Sequence, residues 1–144
     1  MRSVIAYLSY SGNTKEVAEM IETRLRADGM AVDMHRIGID SPIDGGLYDI
    51  VFIGTFTWDM GSTPDEVKDF VIELGYKPDH VAVFGTGDTQ FGGDKLFCRA
   101  VSKLEKFYES KWKSLKIEQS PRGSQEQLVE TWLEGVLHDV KACS

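Results

Sequence analysis

The sequence predicts an α/β sandwich of three layers, in which a five-stranded parallel sheet lies between two layers of helices. Short apolar runs alternate with segments of 3.6-residue periodicity along the whole chain, and this alternation is typical of parallel strands joined by right-handed crossovers. Several of the runs are almost continuously apolar, as strands are when helices cover both faces of a sheet. At 144 residues the chain has the length of one domain, so we expect a single domain over residues 1–144.

Each element is predicted by its own pattern. Strands are expected at residues 4–8, 31–37, 50–54, 81–85 and 115–119. Residues 63–66 combine an N-cap threonine, a proline at the first helical position and a capping-box glutamate, which predicts a helix start. Residues 38–46 are short and contain a proline and paired glycines, so we expect a loop or a single turn there. Helical periodicity indicates four helices, with apolar faces formed by Val17, Ala18, Ile21 and Leu25, by Val67, Phe70, Val71 and Leu74, by Phe97, Ala100, Val101 and Leu104, and by Leu128, Val129, Trp132, Leu133, Val136, Leu137 and Val140.

The composition narrows the functional classes. Cys98 and Cys143 form no CxxC pair, which favours a reduced, cytoplasmic setting, and the three histidines are too dispersed to indicate a metal site. No apolar run approaches the ~20 residues of a membrane span. The formal net charge is −7, and residues 59–94 contribute −6 of it, with eight acids against two lysines. This placement disfavours nucleic acid as a partner and favours a basic protein.

The loop after the first predicted strand is suited to bind a phosphate. It precedes a helix and offers four hydroxyls, one amide and one glycine, since it runs Ser9, Tyr10, Ser11, Gly12, Asn13 and Thr14. Backbone N–H groups that converge at a helix N-terminus bind phosphate without any cationic side chain. The alternative is plain capping, with Asn13 as the N-cap and Glu16 completing a capping box.

The loops after the third and fourth strands each carry an aromatic residue. Trp58 lies among turn formers within residues 54–62, and Phe91 lies between glycines and acids within residues 85–94. Aromatic side chains in such places can stack on a flat ligand. Alternatively, Phe56 or Trp58 folds back as a lid on the core, and Phe91 belongs to a flexible connection. Since the carboxyl ends of parallel strands share one edge, the three loops together indicate a planar ring with a phosphate tail.

The same loops resemble those of flavodoxins. Residues 9–14 match the phosphate loop of that family, Thr/Ser-x-Thr/Ser-Gly-x-Thr, and Gly54-x-x-Thr57-Trp58 matches its second flavin loop. The segment Gly85-Thr86-Gly87-Asp88, followed by Phe91, matches the third. The fifth predicted strand passes quickly to the last helix, without the insertion of long-chain members. The resemblance is therefore to short-chain flavodoxins.

This resemblance implies FMN, bound non-covalently on a sheet of strand order 2-1-3-4-5, an arrangement of which flavodoxin is itself the type example. Trp58 and Phe91 would enclose the isoalloxazine ring, and backbone groups of residues 57–61 and 86–88 would face its edge. The phosphate would bind Ser9, Ser11, Gly12, Asn13 and Thr14. The second loop would contribute Thr55, Phe56, Thr57, Asp59, Met60 and Gly61, and the third Thr86, Gly87, Asp88 and Asp94.

The function implied is low-potential electron transfer by a monomer that turns over no substrate of its own. Its donor would be a ferredoxin/flavodoxin reductase-type enzyme, and its acceptors redox enzymes with basic docking surfaces. Two alternatives stay open, an FMN-dependent reductase like the quinone reductases and a flavodoxin-like protein that matures ribonucleotide reductase. The first needs a nicotinamide site, for which the chain has no obvious extra loop. Flavodoxin-like proteins that mature ribonucleotide reductase typically have sparser flavin loops, so Trp58 argues against the second alternative.

Acidic residues in these loops are expected to tune the cofactor. Asp59, Asp88 and Asp94 would disfavour an anionic reduced flavin more than a neutral one. We therefore expect them to hold the potential of the second one-electron reduction low.

Overall fold

Strands and helices alternate along the chain, as the sequence predicts. The computed structural model describes residues 2–9, 12–40, 48–56, 65–74, 80–87, 99–118 and 123–143. Within these ranges the order of elements is β1 (Arg2–Tyr7), α1 (Asn13–Ala27), β2 (Ala31–Arg36), β3 (Ile50–Phe56), α2 (Asp65–Leu74), β4 (Val81–Gly87), α3 (Arg99–Tyr108), β5 (Leu115–Glu118) and α4 (Ser124–Cys143). The predicted α/β class with five strands is confirmed.

All five strands form one parallel sheet of order β2-β1-β3-β4-β5. β1 has β2 on one side and β3 on the other, so the order of the sheet reverses between β1 and β3. Such a reversal opens a crevice at the carboxyl ends of the strands. The register places Tyr7 beside Gly54 and Phe56 beside Thr86, so the three loops of interest begin at one edge.

Helices cover both faces of the sheet, and each pair of helices packs over its own core cluster. α1 and α4 pack over one face around Phe52 and Phe84. α2 and α3 pack over the opposite face around Val51, Ile53 and Val83. Because strand residues point alternately to the two faces, a sheet covered on both sides needs apolar residues at almost every position. This is why the predicted strands read as nearly continuous apolar runs.

The centre of the sheet requires a glycine at one position. Gly54 of β3 lies beside Phe84 of β4, and a Cβ added to Gly54 would overlap the Phe84 ring. Phe84 is fully buried, so its ring cannot move aside into solvent. A larger residue at position 54 would push β3 and β4 apart directly below the edge where the loops begin.

The observed element ends differ from the predicted ones. β1 ends at Tyr7 rather than at residue 8, whereas β3 extends to Phe56 and β4 to Gly87. Backbone pairing between β3 and β4 continues to Phe56 and Thr86, and the apolar pattern does not reveal that pairing. Leu128, predicted on the apolar face of the last helix, is 53% exposed.

Two other predictions are tested only in part. The chain turns after β2, where the N–H groups of Ile39 and Asp40 donate to the carbonyl of Arg36, but residues 41–46 of the predicted loop lie outside the described residues. Thr63 and Pro64 of the predicted helix start also lie outside them. None of the helices within the described ranges has the length and apolar character needed to cross a membrane.

Candidate functional site

The candidate site lies at the carboxyl ends of β1, β3 and β4, which are neighbours in the sheet. The N–H of Leu8 donates to the carbonyl of Gly54 at 3.0 Å, which fixes the exit of β1 against β3. The described residues from all three predicted loops therefore meet at one edge, which we call the rim: Ser9, Gly12, Asn13 and Thr14 from the first, Thr55 and Phe56 from the second, and Thr86 and Gly87 from the third.

Gly12 shapes the first loop. Its φ is 94°, a left-handed conformation that glycine adopts without steric cost. The N–H of Gly12 donates to Oγ of Ser9 at 3.0 Å, and its carbonyl accepts the first helical hydrogen bond, from Glu16, at 3.0 Å. Gly12 is thus the N-cap of α1 and Asn13 its first helical residue, so the alternative that made Asn13 the N-cap is wrong.

Gly12, as the N-cap, has no side chain with which to cap α1. The leading N–H groups of a helix have no partners within the helix, and the helix dipole places partial positive charge there. Together these properties make the start of α1 suited to an anion with several oxygen atoms.

A buried hydrogen bond joins the first loop to the strand that leads into the third. Oγ1 of Thr14 and Oγ1 of Thr86 lie 2.8 Å apart, and the two residues are 1% and 3% exposed. The Thr14 hydroxyl is therefore engaged within the protein, while its backbone lies in the first turn of α1. This contact fixes the start of α1 relative to β4.

The second loop turns inward where the structure describes it. Thr55 is fully buried, and its hydroxyl donates to the carbonyl of Phe56 at 3.0 Å. Phe56 is half-buried and packs on the cluster beneath α2 and α3. The buried Thr55 hydroxyl leaves its backbone as the group that could meet a ligand, and Phe56 packs inward as in the lid arrangement weighed as its alternative. That either residue contacts a ligand stays a prediction.

The other predicted site residues lie outside the described residues. They are Tyr10, Ser11, Thr57, Trp58, Asp59, Met60, Gly61, Asp88, Phe91 and Asp94. Their contacts stay predictions. In the described part of the chain, no three histidine, cysteine or acidic residues are grouped so that they could hold a metal ion.

A cavity of about 300 Å³ lies beside the first loop at the ends of β1 and β2. Arg36 lines it and is held by Asp40, which accepts from the Arg36 backbone N–H at 2.8 Å and from its guanidinium at 3.0 Å. These two bonds lower the pKa of the Asp40 carboxyl. Sequence reasoning missed this cavity, although a basic residue at the end of a strand that flanks β1 was an available signal. Its described lining residues are Tyr7, Leu8, Ser9, Lys15, Arg36, Ile37, Gly38, Ile39 and Glu66.

Comparison with known proteins gives consistent results. A family model described as Flavodoxin matches residues 5–132. "Probable flavodoxin 2" of Bacillus subtilis (strain 168) is 35% identical over 133 residues, which are 86% of each chain. "Flavodoxin 1" of Escherichia coli (strain K12) is 32% identical over 108 residues, covering 73% of this chain but 60% of that protein. The crystal structure of oxidised Flavodoxin 2 from Bacillus cereus is 29% identical, with a TM-score of 0.82 over 96% of this chain and 99% of that chain.

Proposed function

The chain belongs to the flavodoxin family, and we propose that it carries single electrons on a non-covalently bound FMN. It is an electron carrier that works with a flavin and with redox partners, rather than an enzyme with its own substrate. The flavin supplies the electron chemistry, while the protein binds it, limits access to it and sets its potential.

The observation that carries the choice of FMN is the start of α1. The N-cap is a glycine with positive φ, its N–H donates to Oγ of Ser9, and it makes no side-chain capping hydrogen bond. This arrangement fits a phosphate monoester, which offers several oxygen atoms to convergent N–H groups. Its place beside the reversal of strand order is where open α/β sheets bind nucleotides. FMN has the required phosphate, and riboflavin lacks it.

We propose that the phosphate is held by Ser9, Gly12, Asn13 and Thr14, together with Ser11. Trp58 and Phe91 would enclose the ring, with Tyr10, Asp88 and Asp94 close by. The backbone of residues 57–61 and 86–88 would face its edge. The short bond between Thr14 and Thr86 supports this assignment, because it fixes the phosphate loop relative to the strand that leads into the third loop.

Binding of FMN and riboflavin by the cofactor-free protein tests this proposal. We expect wild-type protein to take up FMN with a yellow absorption spectrum and to bind riboflavin far more weakly. Ser9→Ala removes the acceptor of the Gly12 N–H and should weaken FMN binding by roughly tenfold, with little effect on riboflavin. Ser102→Ala, on helix α3, is the matched control. A protein that stays colourless with FMN would contradict the proposal.

Redox titration tests the tuning by Asp59, Asp88 and Asp94. At an effective dielectric of about 20, one acid ~8 Å from the flavin shifts a charged state by roughly 2 kcal/mol. This is about 90 mV for a one-electron couple, taking ~59 mV per tenfold. Each Asp→Asn change should raise the second one-electron potential by up to that amount. Glu109→Gln, just beyond the end of α3, should leave it unchanged. A second potential that does not move in the triple variant would contradict the tuning.

We propose a reductase-type donor and acceptor enzymes with basic docking surfaces as the partners, in the cytoplasm. The support is the sequence charge, since residues 59–94 carry −6 of the total −7 and include the end of the second predicted loop and the whole of the third. Interfaces of this kind are small and short-lived, typically below about 1,200 Å². Without a partner, the purified protein should not oxidise NADPH.

A further inference from the structure

One cation lies in the helix turn that the proposed function assigns to the phosphate. Gly12 is the N-cap of α1, and Glu16 is the first residue whose N–H donates back to it, at 3.0 Å. The three N–H groups between them have no partner within the helix. Lys15 carries the third of these groups, together with the ammonium group of its side chain.

A lysine is electrostatically unfavourable at this position. The helix dipole places partial positive charge at the N-terminus, where acids stabilise a helix and cations destabilise it. Lys15 is exposed and forms no ion pair within 4.0 Å with any residue of the described ranges, Glu16 and Glu19 on the same helix included. An anion bound at the start of α1 would compensate both the charge of Lys15 and the helix dipole.

The Lys15 side chain borders the same cavity as the first loop. Lys15 and Ser9 both line the cavity of about 300 Å³ at the ends of β1 and β2, and Oγ of Ser9 accepts from the N–H of Gly12. Helical side chains tilt toward the N-terminus of their own helix. Lys15 therefore leans toward the first loop rather than along α1.

The other charged residues that line this cavity do not take the place of Lys15. Arg36 is paired with Asp40 at 3.0 Å. Glu66 belongs to α2, which packs on the opposite face of the sheet from α1, and its Cγ would lie 3.3 Å from a Cβ added to Gly38 in the turn after β2. Among the described lining residues, Lys15 is thus the cation that lies on α1 and has no ion pair.

We propose that Lys15 is a specificity-determining residue that strengthens binding of FMN relative to riboflavin, an inference that rests on the proposed function. Backbone N–H groups hold a phosphate without a cation, and Lys15 adds a full positive charge that acts on the phosphorylated flavin alone. The same charge disfavours α1 when no cofactor is bound. Removing it should therefore stabilise the cofactor-free protein and weaken FMN binding, two effects of opposite sign.

Titration of the cofactor-free full chain with FMN and with riboflavin tests the preference. Lys15→Gln should weaken FMN binding by roughly threefold to tenfold and leave riboflavin binding within about twofold of wild type, while Lys15→Arg should bind FMN like wild type. Added salt should narrow the difference between wild type and Lys15→Gln, because it screens the lost charge. Lys106→Gln is the matched control, since it changes the net charge equally in the last turn of α3 and should leave both affinities unchanged.

Urea unfolding of the cofactor-free proteins separates this role from a structural one. Lys15→Gln should raise the unfolding midpoint by about 0.2–0.5 M, because it removes a cation from a helix N-terminus. Lys106→Gln should lower the midpoint slightly, since a cation in the last turn of a helix is favourable.

Three outcomes would overturn the inference, and they are distinguishable. Wild-type protein with no preference for FMN over riboflavin would overturn the proposed function as well. A wild-type preference that persists unchanged in Lys15→Gln would overturn this inference alone. A lower urea midpoint for cofactor-free Lys15→Gln would also do so, because weaker FMN binding would then follow from a damaged helix.

Discussion

The hydroxyls of Thr14 and Thr86 share one hydrogen bond in the interior, with their oxygen atoms 2.8 Å apart. A buried hydroxyl that loses its partner costs about 1–3 kcal/mol, whereas replacing both partners by apolar groups of the same shape is nearly neutral. Changing only one member of the pair should therefore cost more stability than changing both together. The pair also leaves the backbone of the first turn of α1 to bind a ligand.

We expect Thr86→Val to lower the free energy of unfolding of the cofactor-free protein by about 1–2 kcal/mol, because it leaves the Thr14 hydroxyl unpaired. Thr14→Val should cost a similar amount, and the double variant should cost less than the sum of the two. Urea unfolding of the four proteins gives this double-mutant cycle. Strictly additive effects would mean that the two hydroxyls do not interact.

Tyr108 departs from the general rule that buried polar groups form hydrogen bonds. Within the described part of the chain its buried hydroxyl has no hydrogen-bond partner, and burial raises the pKa of Tyr108 to about 12. The unfolded chain loses this proton near pH 10, while the folded protein keeps it. Stability from this group is therefore present below about pH 10 and is lost as the pH rises toward 12.

Tyr108→Phe should consequently be as stable as wild type, or slightly more so, at neutral pH. It should also lose less stability than wild type between about pH 8 and about pH 11, because the ionisable group is gone. Urea unfolding at the two pH values measures both effects. The same pH dependence in both proteins would contradict the assignment.

At the scale of elements, α4 shows how a hydrophobic stripe is used. Val129, Leu133 and Val136 are buried against the sheet, while Leu128 is 53% exposed. Leu128 precedes Val129 and is rotated by about 100° from it around the helix axis. It therefore lies at the margin of the stripe, although a list of apolar residues includes it.

Leu133→Ala should destabilise the protein by about 2–5 kcal/mol, because it leaves a cavity in the core. Leu128→Ala on the same helix should change the free energy of unfolding by no more than about 0.5 kcal/mol. Urea denaturation compares the two directly. Equal losses would place Leu128 in the core after all.

The elements could be predicted because period and burial are local properties of the sequence. Apolar runs located all five strands, and periodicity located the helices. Strand ends such as Phe56 and Gly87 could not, because they depend on pairing with a neighbouring strand. The same holds for the site. The predicted topology was enough to bring Ser9 and Thr86 to one edge of the sheet. The hydrogen bond between Thr14 and Thr86 could not be predicted, because it joins residues 72 positions apart and has no local signal in the sequence.

At the scale of the whole molecule, the uneven charge should govern encounters with partners. Residues 59–94 carry nearly all of the net negative charge and include the end of the second predicted loop and the whole of the third. Attraction between unlike surfaces raises association rates, and salt screens it over about 10 Å at 0.1 M ionic strength.

The rate of electron transfer from a reductase should therefore fall steeply as ionic strength rises. Stopped-flow measurements with increasing salt test this expectation, and the triple Asp→Asn variant at positions 59, 88 and 94 should show a flatter dependence. A rate that is independent of salt would argue against a basic docking surface on the partner.

The Phe84 ring, which occupies the space above Gly54, can report on motion within the sheet through the rate at which it flips. Because Phe84 is fully buried and its ring packs closely against the β3 backbone at Gly54, we expect a half-turn of the ring to require a brief separation of β3 and β4. The flip rate, read from aromatic resonances in a magnetic-resonance experiment, should therefore report how often β3 and β4 transiently separate. A cofactor that bridges the loops above these strands should lower the flip rate of the Phe84 ring.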